Sequence, residues 1–535
     1  MPELELTELN IVLSVVGAFL ICFGVVSSKI KDKLYLGEAL PATMVGILVG
    51  PVVGRVIDST KWGSAEPDQQ SEITLGVCRI VIGIQLVIVG FQLPARYQLH
   101  RFKENAIAML PVMTTMWLCT TACVYAVIPN LTFLAALVIG SCAACTDPVL
   151  SQAIVKGPFA NKYIPRHLRE VMSSEAGAND SFAFPALMLA TFLIRHAAVT
   201  GEANVSEKVV ARADDVGKIG GGVGVAVKMW FLETVLYTVL LAIVYGAIVG
   251  YSSCLALKFA IRRRWISTEN LLLFPTALGL FILGTAGAFG TEELLACFAA
   301  GNALNWNGIY LEESESRHDD INTSISSLLN YGAFIYIGTV LPWNEFNSPE
   351  VTGITYPRLF ALSLLVLFLR RIPVTLVAYK MLPKVCANAR EALFMGYFGP
   401  IGIGAIFFAE HTRTLFPELG EGDEEEFNLI ASLTPTVYWL VFFSVVVHGL
   451  SVPILVFFYR YTGVKPIEED TIEILPFSQN SPFPRQSKSF ESTEKVVVLD
   501  ERKEKHVSWE SKTSFDDDKQ SLDLSDVKKE VKDMV

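Results

Sequence analysis

Two stretches decide the fold: Thr146-Asp147-Pro148, and the acid-bearing run Ser173-Ser174-Glu175-Ala176-Gly177-Ala178-Asn179-Asp180 that follows it. Both lie inside apolar segments near the roughly twenty residues needed to cross a bilayer. An ionisable side chain in hydrocarbon costs roughly 3 kcal/mol on insertion scales, so it marks an ion pathway or proton relay more often than packing. Pro148 lacks a backbone donor and breaks the helix it sits in, freeing carbonyls that must find new partners. A broken helix beside buried acids supplies what a small cation requires. It offers oxygen ligands, and a charge that a proton can cancel.

The rest of the composition agrees with a membrane setting. The chain has 535 residues, 52% hydrophobic and only 18% charged, with mean hydropathy +0.43. An ordinary soluble protein carries about 25% charge. The apolar residues recur in blocks of about twenty, which reads as an all-α polytopic membrane protein. The formal charge of -11 sits largely in the C-terminal tail and a few loops, so it selects no partner, and no nucleic acid is expected. The cysteines fall mostly inside apolar segments, against a disulfide framework. Cys142-Ala143-Ala144-Cys145 has CxxC spacing but stands among small residues, where close helix packing is the expected role. No Walker-type nucleotide loop occurs, so ATP is not the expected driving force. The acidic N-terminus lacks a basic leader, and the first span is expected to act as its own signal-anchor.

About thirteen spans are expected, beginning near residues 9, 35, 73, 105, 131, 170, 224, 270, 291, 324, 356, 391 and 428. The ninth is short, and the seventh has a Gly-rich lead-in. Alternate loops concentrate basic residues: Lys29, Lys31 and Lys33; Arg96, Arg101 and Lys103; Lys156 to Arg169; Lys258 to Arg264; Lys380 to Arg390. The positive-inside rule places these in the cytoplasm, with the N-terminus outside and the C-terminus inside. An odd number of spans satisfies that arrangement. If spans one to six repeat as eight to thirteen, the two six-helix repeats are inverted. Span five then corresponds to span twelve. Span twelve carries Gly399-Pro400-Ile401-Gly402-Ile403-Gly404, so broken crossing helices are expected at both places. Residues 1-463 form the transmembrane domain, holding dimerisation and ion-translocating parts. Residues 464-535 are Ser-, Glu-, Lys- and Asp-rich, a mostly disordered cytoplasmic tail. Asn204-Val205-Ser206 is a sequon in an expected outer loop, and Ser481, Ser487 and Ser489 are candidate phosphosites in an otherwise solvated tail.

Asp180, near mid-depth in span six, is the expected ion-binding acid. Burial raises a carboxyl pKa and a bound cation lowers it, so the group holds a proton or a cation but not both well. Asn179 offers an amide oxygen or a donor, and Thr146 a hydroxyl and a carbonyl freed by the break. Asp147 either coordinates or sits against a half-helix N-terminus, the second role being favoured. Glu175, on the Asn179 face, is expected to pair with a buried arginine: Arg79, Arg370 or Arg371. Ser173 and Ser174 are candidate supporting oxygens, helix packing being the commoner role for such serines. Glu233 and the Glu292-Glu293 pair are further acids. The pair reads first as a solvated cap at the outer interface, with a cation-attracting vestibule as the alternative. His448 reads as a hydrogen-bonded structural residue.

Several strings carry a family resemblance: Thr146 to Gln152, Pro165 to Arg169, Ser174 to Asp180 with Phe184-Pro185, Leu295 to Asn302, Phe398 to Gly402, and His448 to Pro453. Together, over roughly residues 9 to 460, they resemble the fungal sodium/proton antiporters of the monovalent cation/proton antiporter superfamily, relatives of the sodium/hydrogen exchangers. The resemblance implies a homodimer in the lipid bilayer and a mobile six-helix core that moves like an elevator. It also implies exchange of Na+, Li+ or K+ for protons, with Thr146, Asp147, Asn179 and Asp180 around the ion and no resident cofactor. The plasma membrane is the expected location, an endosomal membrane the alternative. Two features depart from the pattern. Ile403 stands where many relatives carry an arginine, and Glu292-Glu293 replace two aspartates. A channel using the same acids as a filter is the second reading. A hydrolase with paired aspartates is a distant third.

Overall fold

The computed structural model describes residues 7–59, 62, 69–156, 158–196, 218–317, 319–382, 385–417, 419, 422–464 and 467. Side chains at 28, 32, 34, 153, 158 and 180–182 lie outside that description. So do the sequon at Asn204, the serines of the tail and nearly all of residues 464–535.

Among the described residues the chain is helical throughout, an isolated bridge between Ser348 and Ile354 being the only extended pairing. The helices are α1 (Glu8–Lys29), α2 (Ala39–Val49), α3 (Gln69–Gln92), α4 (Phe102–Val127), α5a (Phe133–Cys142), α5b (Pro148–Val155) and α6 (Arg166–Arg195). Then come α7 (Gly222–Arg263), α8 (Thr268–Ala288), α9 (Glu293–Leu304), α10 (Asp320–Val340), α11 (Tyr356–Met381), α12a (Ala389–Tyr397), α12b (Ile403–Arg413) and α13 (Glu424–Thr462). Eight of the described helices are long and apolar enough to cross a membrane: α1, α3, α4, α6, α7, α8, α11 and α13. Three shorter apolar helices, α2, α5a and α9, accompany them. Helix length and composition therefore do not by themselves establish the expected thirteen crossings. The reason is physical: the fifth and twelfth stretches are each split in two, the second and ninth are short, and α10, though 21 residues long, carries too many polar residues in its first half.

Local chemistry sets the ends. Asp423 and Glu426 form a reciprocal capping box at the start of α13, satisfying backbone donors that a helix leaves orphaned. At 39 residues, α13 is about 58 Å long, well beyond the roughly 30 Å of hydrocarbon. In α11 the regular helix stops at Leu369 and restarts at Ile372, with Pro373 in the first turn of the second part. Proline cannot donate to the preceding turn, so Arg370 and Arg371 fall at the interruption.

The helices pack as two groups. In the first, α2 lies on α10, α3 on α8 and α9, and α7 on α9. In the second, α4 lies on α5a and α11, α5a on α6 and α13, and α12b on α13. α3 is the seam, since it also touches α12b, α5b and α6.

The α7–α9 contact depends on Gly246 and Gly250. A Cβ at either would stand 2.3 Å from the carbonyl oxygen of Ala296 or Ala300 respectively. This is the small-residue spacing that lets two helix backbones meet in lipid, where no hydrophobic force drives them together. Gly250→Leu is expected to destabilise the protein by about 1–3 kcal/mol through overpacking. A lowered melting temperature of the detergent-solubilised protein checks this, with Ile248→Leu on the exposed face of α7 as the silent control.

Candidate functional site

The site is built around the two interruptions. Pro148 is tolerated at the first position of a helix, where its missing N–H is not needed. The chain therefore restarts there with Asp147 as an extended N-cap at φ -64° and ψ 124°. One Asp147 carboxylate oxygen accepts from the Leu150 N–H at 2.7 Å. The other accepts from the Gly404 N–H at 3.4 Å, at the start of α12b. The Asp147 N–H itself donates to the Pro400 carbonyl at 2.9 Å. A single buried carboxylate thus faces two half-helix N-termini, each carrying partial positive charge. Gly402 makes the approach possible, because a Cβ there would lie 2.5 Å from the Asp147 Cγ.

Arg370 performs the opposite task. From the interruption in α11 its guanidinium donates to the carbonyls of Ala143 (2.8 Å) and Cys145 (3.1 Å), which follow α5a. It also donates, in a close contact, to the Gly399 carbonyl, which follows α12a. These are the orphan acceptors and partial negative ends that a broken helix leaves in a low-dielectric interior. Ile403, at the start of α12b, is fully buried, and α11 supplies the cationic groups at the crossing.

The break in α12 is closed by α13. The Ile401 N–H donates to Ser444 Oγ at 2.8 Å. Ser444 Oγ lies 3.2 Å from His448 Nδ1, and His448 Nε2 lies 3.1 Å from the Tyr397 carbonyl. His448 Nδ1 also lies 2.9 Å from the Ser444 carbonyl, so the ring is held between the backbone of α13 and the end of α12a. His448 is accordingly a staple.

Asn179 ties α6 to the first break. Its Oδ1 accepts from both the N–H and the hydroxyl of Thr146, each at 3.1 Å. The Nδ2–Thr146 Oγ1 separation is 2.8 Å. Asp180 follows Asn179 in the same helix; its side chain, the expected ion-binding acid, lies outside the described residues. Glu175 pairs with Arg371 at 2.7 Å, both side chains only 3% exposed. Of the three arginines expected from the sequence, Arg371 is therefore the partner. Arg370 is committed to carbonyls. Arg79 pairs with Glu293 at 2.6 Å and donates to the Leu283 carbonyl.

Other expectations change. Glu292 is buried and Glu293 is ion-paired, so the first reading of this pair, a solvated cap, does not hold. Both acids sit at the start of α9, packed between α3 and α8. Glu233 lies on the exposed side of α7. Ser174 accepts from Gln98 Nε2 at 2.9 Å, and Ser173 from Gln152 at 3.3 Å. Cys142 and Cys145 are buried thiols, Cys142 beside the Thr412 hydroxyl and Cys145 beside the Cys142 carbonyl. Glu410 on α12b, not singled out from the sequence, is a further buried acid held by Ser71 and Tyr438.

Removing one member of a buried ion pair leaves the other charge uncompensated, at about 3–5 kcal/mol. Arg371→Ala is expected to lose about that much stability, and Arg371→Ala with Glu175→Gln to recover part of it. Thermal unfolding of the four proteins of the cycle checks this coupling.

Comparison with known proteins follows the same line. The family described as "Sodium/hydrogen exchanger, transmembrane" matches residues 15–458. A Na+/H+ antiporter of Saccharomyces cerevisiae is 35% identical over 465 residues, 85% of this chain and 44% of that protein. Na+/H+ antiporter 2 of Zygosaccharomyces rouxii is 33% identical over 464 residues, 85% of this chain and 53% of that one. The chain thus spans about half the length of these two. A Na+/H+ antiporter of Schizosaccharomyces pombe is 31% identical over 461 residues and is covered to 92% of its length. Among solved structures, the sodium proton antiporter MjNhaP1 from Methanocaldococcus jannaschii superposes with a TM-score of 0.55 at 14% identity. That match covers 84% of this chain and 99% of that one, a likeness of fold.

Proposed function

The chain belongs to the sodium/hydrogen exchanger family, and from that footing we propose that it is a secondary-active antiporter. It exchanges Na+, and by the same chemistry Li+ or K+, for protons, and makes or breaks no covalent bond in doing so. One observation carries this reading beyond family membership. Two helices are broken at one place, their four free ends are neutralised by Asp147 and Arg370, and the helix bearing Asn179-Asp180 is tied to the break through Thr146. Such discontinuous helices at a repeat interface are the usual setting of a cation site in transporters.

In this reading the site faces the cytoplasm, Asp180 releases its proton and a cation takes its place. Thr146 and Asn179 contribute oxygens, which requires their mutual hydrogen bonds to rearrange. Asp147 supports the site from the half-helix ends and does not itself ligate. The group of helices around α5, α6 and α12 then moves against the group around α3, as an elevator does. On the outer side a proton displaces the ion. Low cytoplasmic pH favours the protonated site and slows cation loading. The protein works as a homodimer in the plasma membrane, N-terminus outside and C-terminus in the cytoplasm. Acids buried with this much support are expensive in lipid, and a transport role accounts for their cost.

The test uses purified full-length protein in proteoliposomes with a pH gradient, a pH-sensitive dye and added Na+, Li+ or K+. Wild type is expected to move protons on cation addition. Asp180→Asn, which keeps the shape and removes the titrating charge, is expected to abolish that movement. Cation flux without linked proton flux would replace exchange by the channel reading.

A further inference from the structure

Glu410 lies six residues beyond Gly404 on α12b, about 9 Å of helical rise outward from the crossing. It is buried, as are Ser71 and Tyr438. One carboxylate oxygen accepts from the Tyr438 hydroxyl of α13 at 2.6 Å. The other accepts, in a close contact, from the Ser71 hydroxyl in the first turn of α3. The two contacts differ in kind. α12b and α13 belong to one packing group, so Tyr438 fixes the aim of Glu410. α3 belongs to the other group, so the Ser71 bond crosses the seam. The same end of the seam is walled by Thr74, whose hydroxyl lies 2.8 Å from that of Tyr336, and by Trp62 stacked on Tyr336. Burying a carboxylate with hydroxyl partners, near the C-terminal and partially negative end of a helix, works against stability. The arrangement is thus poor as a structural device and well suited to a contact that has to open.

We propose that the Glu410–Ser71 hydrogen bond is a latch at the outer end of the seam between the two helix groups, closed here and released whenever α12b moves relative to α3. The proposal rests on exchange by relative movement of these groups. The latch stabilises the state whose outer end is shut, and its loss shifts the population toward the state open to the outside. A ligand's apparent affinity scales with the population of the competent state. Weakening the latch therefore moves the two faces in opposite directions, which a general folding defect does not do.

The experiment measures half-saturating Na+ at each face of proteoliposomes with a single protein orientation, for wild type and Ser71→Ala. The expected result is a lower value at the outer face, a higher value at the inner face, and a ratio changed by roughly tenfold, the worth of a hydrogen bond to a carboxylate. Unchanged values, or both faces moving together, overturn the latch. A second measurement bridges Ser71→Cys with Glu410→Cys by a short bis-methanethiosulfonate, with identically treated wild type as control. Bridging is expected to stop exchange and reduction to restore it, whereas continued exchange by the bridged protein overturns the proposal. If the double variant is inactive before bridging, the Ser71→Ala ratio decides. Wild-type vesicles report separately on exchange itself: without Na+-linked proton movement the antiporter reading falls, and with it but without the split only the latch does.

Discussion

Four helix ends meet inside the protein, and everything around them answers to that constraint. Breaking two helices in a low-dielectric interior exposes unpaired N–H groups and carbonyls, together with the partial charges they carry. Asp147 takes the two positive ends and Arg370 the two negative ones. The residues nearby follow from this division. Pro148 restarts α5b without wasting a donor, Gly402 admits the Asp147 carboxylate, and the interruption of α11 places Arg370 opposite the carbonyls. Ser444 and His448 bind the remaining amide and carbonyl of the α12 break.

This division also separates structure from chemistry at the acids. Asp147 and Glu175 are both buried, but each is already matched: Asp147 by backbone N–H groups, Glu175 by Arg371. Neither is free to alternate between proton and cation without breaking its surroundings. The proposed cycle accordingly assigns exchange to Asp180, one residue past the asparagine that holds Thr146. In the proposed cycle this matched framework gives the competition between proton and cation at Asp180 a fixed stage.

Much of this was legible in the sequence, because proline and glycine in apolar runs state where backbone partners are lost. Thr146-Asp147-Pro148 and Gly399 to Gly404 could be read as breaks for that reason, and the capping role of Asp147 followed from its place before a proline. The partner of Glu175 was not legible. Arg370 and Arg371 are adjacent, and only the irregular turn before Pro373 sends one to carbonyls and the other to the carboxylate. The burial of Glu292 and the pairing of Glu293 were hidden too, since a pair of acids at a helix start looks the same in water or against Arg79. Nothing in the sequence marks Glu410, which follows an apolar run near an acidic loop, and only the fold brings Ser71 beside it. The thirteen crossings read from the sequence are not tested by helix length in the structure, because a split helix is too short to qualify by length.

The most direct test of the account is thermal unfolding and Na+-driven proton movement measured together for Arg370→Gln and Arg370→Lys. If Arg370 neutralises the two carbonyl ends, the glutamine variant loses stability, by about 1.5–3 kcal/mol for a charged hydrogen-bond donor, and loses exchange with it. Lysine, which keeps the charge but not the fork, recovers part of both. A glutamine variant as stable and as active as the wild type would contradict the claim that the crossing is held by opposed charges.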